Sequence, residues 1–455
     1  MLSRRTALSS VLAAALVSPC ANAETVTVLR VQRRSIEVNR KAASRLIISQ
    51  PDGRQGMMTA VGRQFRARVE NHLDVPTLIH WHGLTPPWQQ DGVPDISSPP
   101  IAPGASADYD FPLGFGGTFW MHSHQGLQEQ ELLAAPLIVS DDRDRRGQQD
   151  VVVMLADFSF TPPEQIFEGL RKSRMTMPAA GAMPAAPDLN DVKYDAFLAN
   201  DRTLADPEVI RVETGGMVLL RIINSSSMSA YHLDLGALNG ELIAVDGFRV
   251  QPVTGRRFPI AVAQRLDIRV RIPKIPAAHP ILAILEGERN QSGVILQGGN
   301  APVRRVPVVA TQPSSPLALD LERSLRATEP LTPRKADRVH QLNLTGNMDG
   351  YVWSINDVAW NQDVPPLPVA KGERVELVFE NRTPMPHPMH LHGHTFQLVE
   401  IDGNRFPGAR RDTVLVTPGA RVVVAFDADN PGWWALHCHL LYHLDAGMFT
   451  TLRYV

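Results

Sequence analysis

Gly372-Glu373-Arg374-Val375-Glu376-Leu377-Val378-Phe379-Glu380-Asn381 reads as a strand between two turns: a glycine opens it, a β-rich run follows and an asparagine closes it. The same order occurs at Gly62-Arg63-Gln64-Phe65-Arg66-Ala67-Arg68-Val69-Glu70-Asn71, and again from Gly216 through Val218-Leu219-Leu220-Arg221-Ile222-Ile223 to Asn224. Gly62 to Gly216 is 154 residues and Gly216 to Gly372 is 156, so the repeat is the size of a domain. A length of 455 residues, at about 150 per domain, gives the same three units. The outer copies share a second half opening at Pro103-Gly104 and Pro418-Gly419. Turn signals recur between short apolar runs and no long helical period is sustained, so the class is all-β, three consecutive sandwich or barrel domains.

Working outward, residues 1–23 have the order of an export signal: Arg4-Arg5, an apolar run from Ala7 to Val17, then Ala21-Asn22-Ala23 as a cleavage site. The apolar run is too short to span a bilayer. The paired arginines point to the twin-arginine route and a periplasmic or secreted product, although an ordinary secretory signal has the same order. Three β domains then fall at 24–145, 146–305 and 335–455, with a Pro-rich connector at 306–334. Residues 173–190 are low in complexity and read as a surface loop. Lys and Arg number 45 against 47 Asp and Glu, a balance that offers no attraction to nucleic acid or to an anionic membrane surface. Cleavage after Ala23 removes Cys20 and leaves Cys438 as the sole thiol.

Ten of the 15 histidines fall in four clusters: His80-Trp81-His82, His122-Ser123-His124, His387-Pro388-Met389-His390-Leu391-His392, and His437-Cys438-His439 followed by His443. Their placement repeats. Gly62 to His80 and Gly372 to His390 are both 18 residues, as are Gly104 to His122 and Gly419 to His437. Residues i and i+2 of a strand face one side, so each H-x-H pair can aim two imidazoles at one point. Eight such imidazoles exceed what one ion takes and imply a metal cluster. Cys438 lies between two of them and must face the other way. His387, Cys438 and His443, with Met448 five residues on, have the composition of a blue-copper site, which carries a weak axial thioether.

Through HWHG at 80–83, WMHSH at 120–124, HPMHLHGH at 387–394 and HCHLLYHLDAGM at 437–448, the chain resembles the three-domain multicopper oxidases, which include laccases, ascorbate oxidases and bacterial cuprous oxidases. The resemblance covers nearly the whole chain after residue 23. It implies three cupredoxin-like Greek-key domains and four copper ions: a type 1 ion in the third domain, and one type 2 and two type 3 ions between the first and third. Carried over residue by residue, the type 1 ligands are His387, Cys438 and His443, with Met448 axial. The type 2 ligands are His80 and His390. One type 3 ion takes His82, His122 and His439, and the other His124, His392 and His437. His72, His232, His279, His340 and His394 are left as ordinary histidines, and the middle copy as a spacer without ligands.

The resemblance implies one-electron oxidation of a small reducing substrate at the type 1 copper. Electrons pass through Cys438 and its neighbours His437 and His439 to four-electron reduction of dioxygen to water at the cluster. That reduction consumes protons, and Asp91 matches the family aspartate that serves it. Bacterial cuprous oxidases carry a glutamate after the last type 1 histidine. Leu444 stands there instead, beside Asp445, which puts the proton route in question. Two donor classes fit: phenols and aromatic amines, as in laccases, or Cu(I), as in a periplasmic copper-tolerance protein with little organic-substrate activity. Met57, Met58, Met175, Met177 and Met183 are soft ligands suited to Cu(I), but no methionine-rich insert occurs in 335–455. A copper buffer would use the same ligands without turnover.

Overall fold

The computed structural model describes residues 26–141, 147–172 and 189–455. The export segment at 1–23, Cys20, and Met175, Met177 and Met183 of the 173–190 stretch lie outside the described residues. The described chain is all-β, in three successive pairs of sheets with four and four, six and five, and seven and five strands. Short helices at Pro163–Lys172, Asp320–Ser324 and Leu441–Asp445 interrupt them. None is long and apolar enough to cross a membrane.

The repeat is visible in the pairing. Strands Gln64–Asn71, Met217–Asn224 and Arg374–Asn381 each lie between one parallel partner, which begins its sheet pair, and one antiparallel partner from the second half of its copy. In Gln64–Asn71, Phe65, Ala67 and Val69 are buried on one face while Gln64, Arg66 and Arg68 alternate with them towards solvent. The closing asparagine does the same work three times. Asn71, Asn224 and Asn381 are buried, and each accepts from the backbone N–H two residues on while its side-chain amide donates to carbonyls of the next turn. Asx turns of this kind end the strand and start the crossing to the facing sheet.

Two sheets carry the clustered histidines. In the first copy Ile79–His82 is an edge strand paired with Gly117–Ser123, and His80 lies opposite His122. In the third, His387–Leu391 pairs with Trp433–Cys438, and His390 lies opposite His437. The connector after residue 302 runs as irregular chain with the one helix Asp320–Ser324.

Asn381 also supports the site, because its Oδ1 accepts from the Thr383 hydroxyl, which in turn accepts from His387 Nε2. Asn381→Ala should therefore destabilise the protein by about 2–3 kcal/mol in urea unfolding, since it strands two buried carbonyls. An unchanged midpoint would mean that the turn is held by packing alone.

Candidate metal centre

All ten clustered histidines are placed around two points, one on each side of the same sheet. The parity of the strands explains it. His387 and His390 are three residues apart and Cys438 sits between His437 and His439, so in both strands one residue faces away from the others. His387, Cys438 and His443 share one face: Cys438 Sγ is 3.6 Å from His387 Nδ1 and 4.0 Å from His443 Nδ1, and the two nitrogens are 3.2 Å apart. His443 comes from the helix Leu441–Asp445 that follows the strand, and Trp353 stacks on its ring at 4.0 Å. Met448 is buried and held by backbone hydrogen bonds to both Cys438 and His443.

On the other face, ligand-capable nitrogens within 4.8 Å of one another define the groups His80–His82–His390, His82–His122–His439 and His124–His392–His437. These come from the first and third copies; the second adds none. Asp91 also groups with His80 and His392.

Six of the eight cluster rings are held through the outward nitrogen, and the inward nitrogens carry no protein donor. His80 Nδ1 donates to the Asp91 carbonyl at 2.8 Å, His390 Nδ1 to the Asp412 carbonyl at 2.9 Å, and His437 Nδ1 to the Cys438 carbonyl at 3.0 Å. His392 Nδ1 meets Asp91 Oδ2 at 2.8 Å, His82 Nε2 meets Asp412 Oδ1 at 3.0 Å, and His122 Nδ1 meets Glu129 Oε2 at 2.8 Å. On the copper-like thiol face, His443 Nε2 donates to Asp191 Oδ2 at 2.9 Å. Tautomers assigned by these bonds leave lone pairs pointing inward. His392 and His437 then face each other through Nε2 at 2.9 Å, and His80 and His390 at 3.4 Å. Such pairs repel unless a cation lies between them. His82 Nδ1, His122 Nε2, His124 Nε2 and His439 Nε2 are buried with no hydrogen-bond partner at all. Orphaned acceptors of this number are costly in a folded protein and fit a bound metal, each outer bond being the usual support of a metal-bound imidazole.

Burial sets the protonation. It holds His82, His122, His124, His387, His390, His392 and His439 well below the usual imidazole range, with neighbouring histidines adding repulsion, and brings His437 down to about 3. Burial also pushes the Cys438 thiol up, so a thiolate there depends on a cation. A donor set of neutral imidazoles and one thiolate suits copper.

Three side chains that spacing could not disclose complete the surroundings. Asp412 and Glu129 sit against the cluster histidines, and Asp191 caps His443 while also accepting from Tyr351 at 2.5 Å. Nothing in their local sequence marks them, because each reaches its histidine only through the tertiary fold. Glu129 is buried, burial pushes its carboxyl well above the usual range, and its Oε1 has no hydrogen-bond partner. Leu444 packs with Val93, Ile96, Ala435 and Phe449. It and Asp445 line a cleft of ≈ 620 Å³ that reaches His124, with Trp360 and Trp433 opposite. Met57 is core and Met58 is exposed, so neither forms a soft-ligand cluster. Of the five remaining histidines, His72 pairs with Glu70, His232 and His340 bond carbonyls, His394 is buried between the His392 carbonyl and Tyr454, and His279 is buried away from the site.

Family models described as multicopper oxidase match residues 55–144, 149–299 and 333–455. The chain is 32% identical over 420 residues to Multicopper oxidase MmcO of Mycobacterium tuberculosis, covering 87% of this chain and 80% of that protein. It is 27% identical over 505 residues to a Copper resistance protein A homolog of Pseudomonas syringae pv. tomato, covering 85% of each. In fold it is similar to Fet3p, a multicopper oxidase that functions in iron import, with a TM-score of 0.79 at 20% identity over 94% of this chain and 90% of that one.

Unfolded histidines protonate near pH 6.5 whereas these stay neutral in the fold, so below that pH the unfolded chain binds more protons. The metal-free protein should accordingly lose stability as pH falls from about 7 to about 5 and regain it above 6.5. Denaturant midpoints that stay level across that range would show the rings to be solvated.

Proposed function

The chain belongs to the multicopper oxidase family, and on that premise we propose how its residues divide the work of a copper-dependent oxidase that couples oxidation of a reducing substrate to reduction of dioxygen. His387, Cys438 and His443, with the buried Met448 beside them, would hold a type 1 copper. His80 and His390 would hold a type 2 ion, His82, His122 and His439 one type 3 ion, and His124, His392 and His437 the other. Residues 24–145 and 335–455 build the cluster between them, and 146–305 contribute no ligand. When bound, copper supplies one-electron acceptance at the first site and the four-electron reduction of dioxygen to water at the second. The observation that carries this reading is the set of buried, bare nitrogens facing one another across both sites.

The protein's part is to connect, insulate and supply protons. The Cys438 sulfur and the flanking His437 and His439 are joined by one stretch of backbone, which gives electrons a covalent route through the sheet. Asp91 holds the outer nitrogens of His80 and His392 and is the carboxylate nearest both groups. Glu129, whose carboxyl burial pushes well above the usual range, lies against His122 and is a second proton store.

The donor is cationic, with Cu(I) the foremost candidate. His443 Nε2, the edge of the type 1 site, is bonded to the buried Asp191 carboxylate, so a donor reaches the imidazole by way of that carboxylate. A carboxylate at this edge attracts a small cation and links it to the ring by one hydrogen bond. Export by the twin-arginine route to the periplasm accords with residues 1–23 and with this substrate.

Cys438→Ser should abolish both the intense blue absorption and oxygen uptake; retention of either removes the type 1 assignment. Asp91→Asn should keep the blue colour and slow oxygen reduction by about 10- to 100-fold, and a normal rate would exclude its proton role. In steady-state oxygen uptake, Asp191→Asn should raise KM for Cu(I) far more than for a neutral phenol. Equal changes for the two donors would sink the cationic reading.

A further inference from the structure

We propose that Arg265, in the second domain, is a positioning residue for the copper cluster: its guanidinium clamps the first- and third-domain halves together and, through Asp412, fixes the orientation of His82. The proposal rests on the cluster assignment above. It gives the ligand-free domain a specific task in place of a spacer's.

Arg265 is fully buried and uses all five of its N–H donors. Nε donates to the Thr118 carbonyl at 3.1 Å, on the first-domain strand that carries His122. Nη1 donates to the Ala263 carbonyl at 3.1 Å and to Asp412 Oδ1 at 2.8 Å, and Nη2 to the Asp246 carbonyl at 3.0 Å and to Asp412 Oδ2 at 2.5 Å. The third-domain Asp412 is thus gripped bidentately, which fixes the plane of its carboxylate. Its Oδ1 accepts from His82 Nε2, turning His82 Nδ1 inward, while its backbone carbonyl accepts from His390 Nδ1. One cation of the second domain therefore reaches ligands from both of the others.

The surroundings are shaped for this contact. Ala263 and Asp246 have φ of 67° and 49°, left-handed values uncommon for residues with a Cβ, and both present their carbonyls to the guanidinium. Gly83, which follows His82, has φ of 89°, and a Cβ on it would stand 2.5 Å from Arg265 Nη2 and 2.7 Å from Asp412 Oδ2. The glycine of HWHG is thereby explained by the clamp. Asp246 also pairs with Arg411, which pairs in turn with Glu322 of the connector, so two buried arginines are shared among three carboxylates in one connected network. A lysine at 265 would keep the charge but has three donors and no fork.

The test compares Arg265→Lys, Asp412→Asn and the double variant with wild type. The readouts are copper atoms per chain after reconstitution, the blue absorption, the near-ultraviolet band of the coupled copper pair, the melting temperature of the copper-free protein, and kcat and KM for Cu(I). Wild-type copper content and colour check the underlying cluster assignment independently. Arg265→Lys should keep the fold, the blue absorption and KM. It should lose copper from the cluster and the near-ultraviolet band, and kcat should fall by about 10- to 100-fold. Because the two residues act through one contact, the double variant should be little worse than Asp412→Asn alone. Three results would overturn the proposal: full copper and an unaltered near-ultraviolet band in Arg265→Lys, strictly additive losses, or a general collapse in which blue absorption and copper-free melting temperature fall together.

Discussion

Eight imidazoles can occupy one dry pocket only if the inward nitrogen of each is bare and the outward one is tied. A protonated ring there would meet several neighbours at 4–6 Å with no water to screen it, and an untied ring could rotate or exchange tautomers. The backbone carbonyls of Asp91, Asp412 and Cys438 and the carboxylates of Asp91, Asp412 and Glu129 tie six of the eight: His80, His390, His437, His392, His82 and His122. The electrostatics of the pocket follow from them: neutral rings, inward lone pairs, and nearby acidic groups that suit cations at the centre. Nearly all the polar chemistry buried between the first and third domains serves this arrangement.

The strand pleat imposes a second constraint. With side chains alternating between faces, His437 and His439 look one way and Cys438 the other, so the group around Cys438 and the group of clustered imidazoles are separated by the thickness of a sheet and joined by a few covalent bonds. His387 and His390 repeat that division on the neighbouring strand, and pairing of His390 with His437 keeps the two strands in register. A one-residue slip would send each ligand to the wrong side. The buried core around Leu391, Leu436 and Val414 resists such slippage.

The carboxylates around the two histidine groups lie on different parts of the molecule. Asp191, contributed by the second domain, closes the edge of His443, whereas Glu129 and Asp91 sit beside the cluster and an apolar wall around Leu444 leads to His124. The second domain contributes at both places, through Asp191 at one and Arg265 at the other, although its own sequence contains no clustered histidines.

Much of this was legible in the residue order. Periods of 154 and 156 residues announced three β domains, and the 18-residue spacings from Gly62, Gly104, Gly372 and Gly419 placed the histidine pairs at equivalent points. Parity alone put Cys438 on the face opposite His437 and His439. These features are local or periodic, and backbone geometry converts them directly into direction. Asp412, Asp191 and Arg265 carry no such signal, because each acts across a distance in sequence that only packing closes: 330 residues separate His82 from Asp412, and 252 separate Asp191 from His443. The sequence determined which atoms can bind metal and on which side of a strand they lie. The tertiary structure decided which nitrogens are bare, because a tautomer is set by its hydrogen-bond partner, and those partners come from elsewhere in the chain.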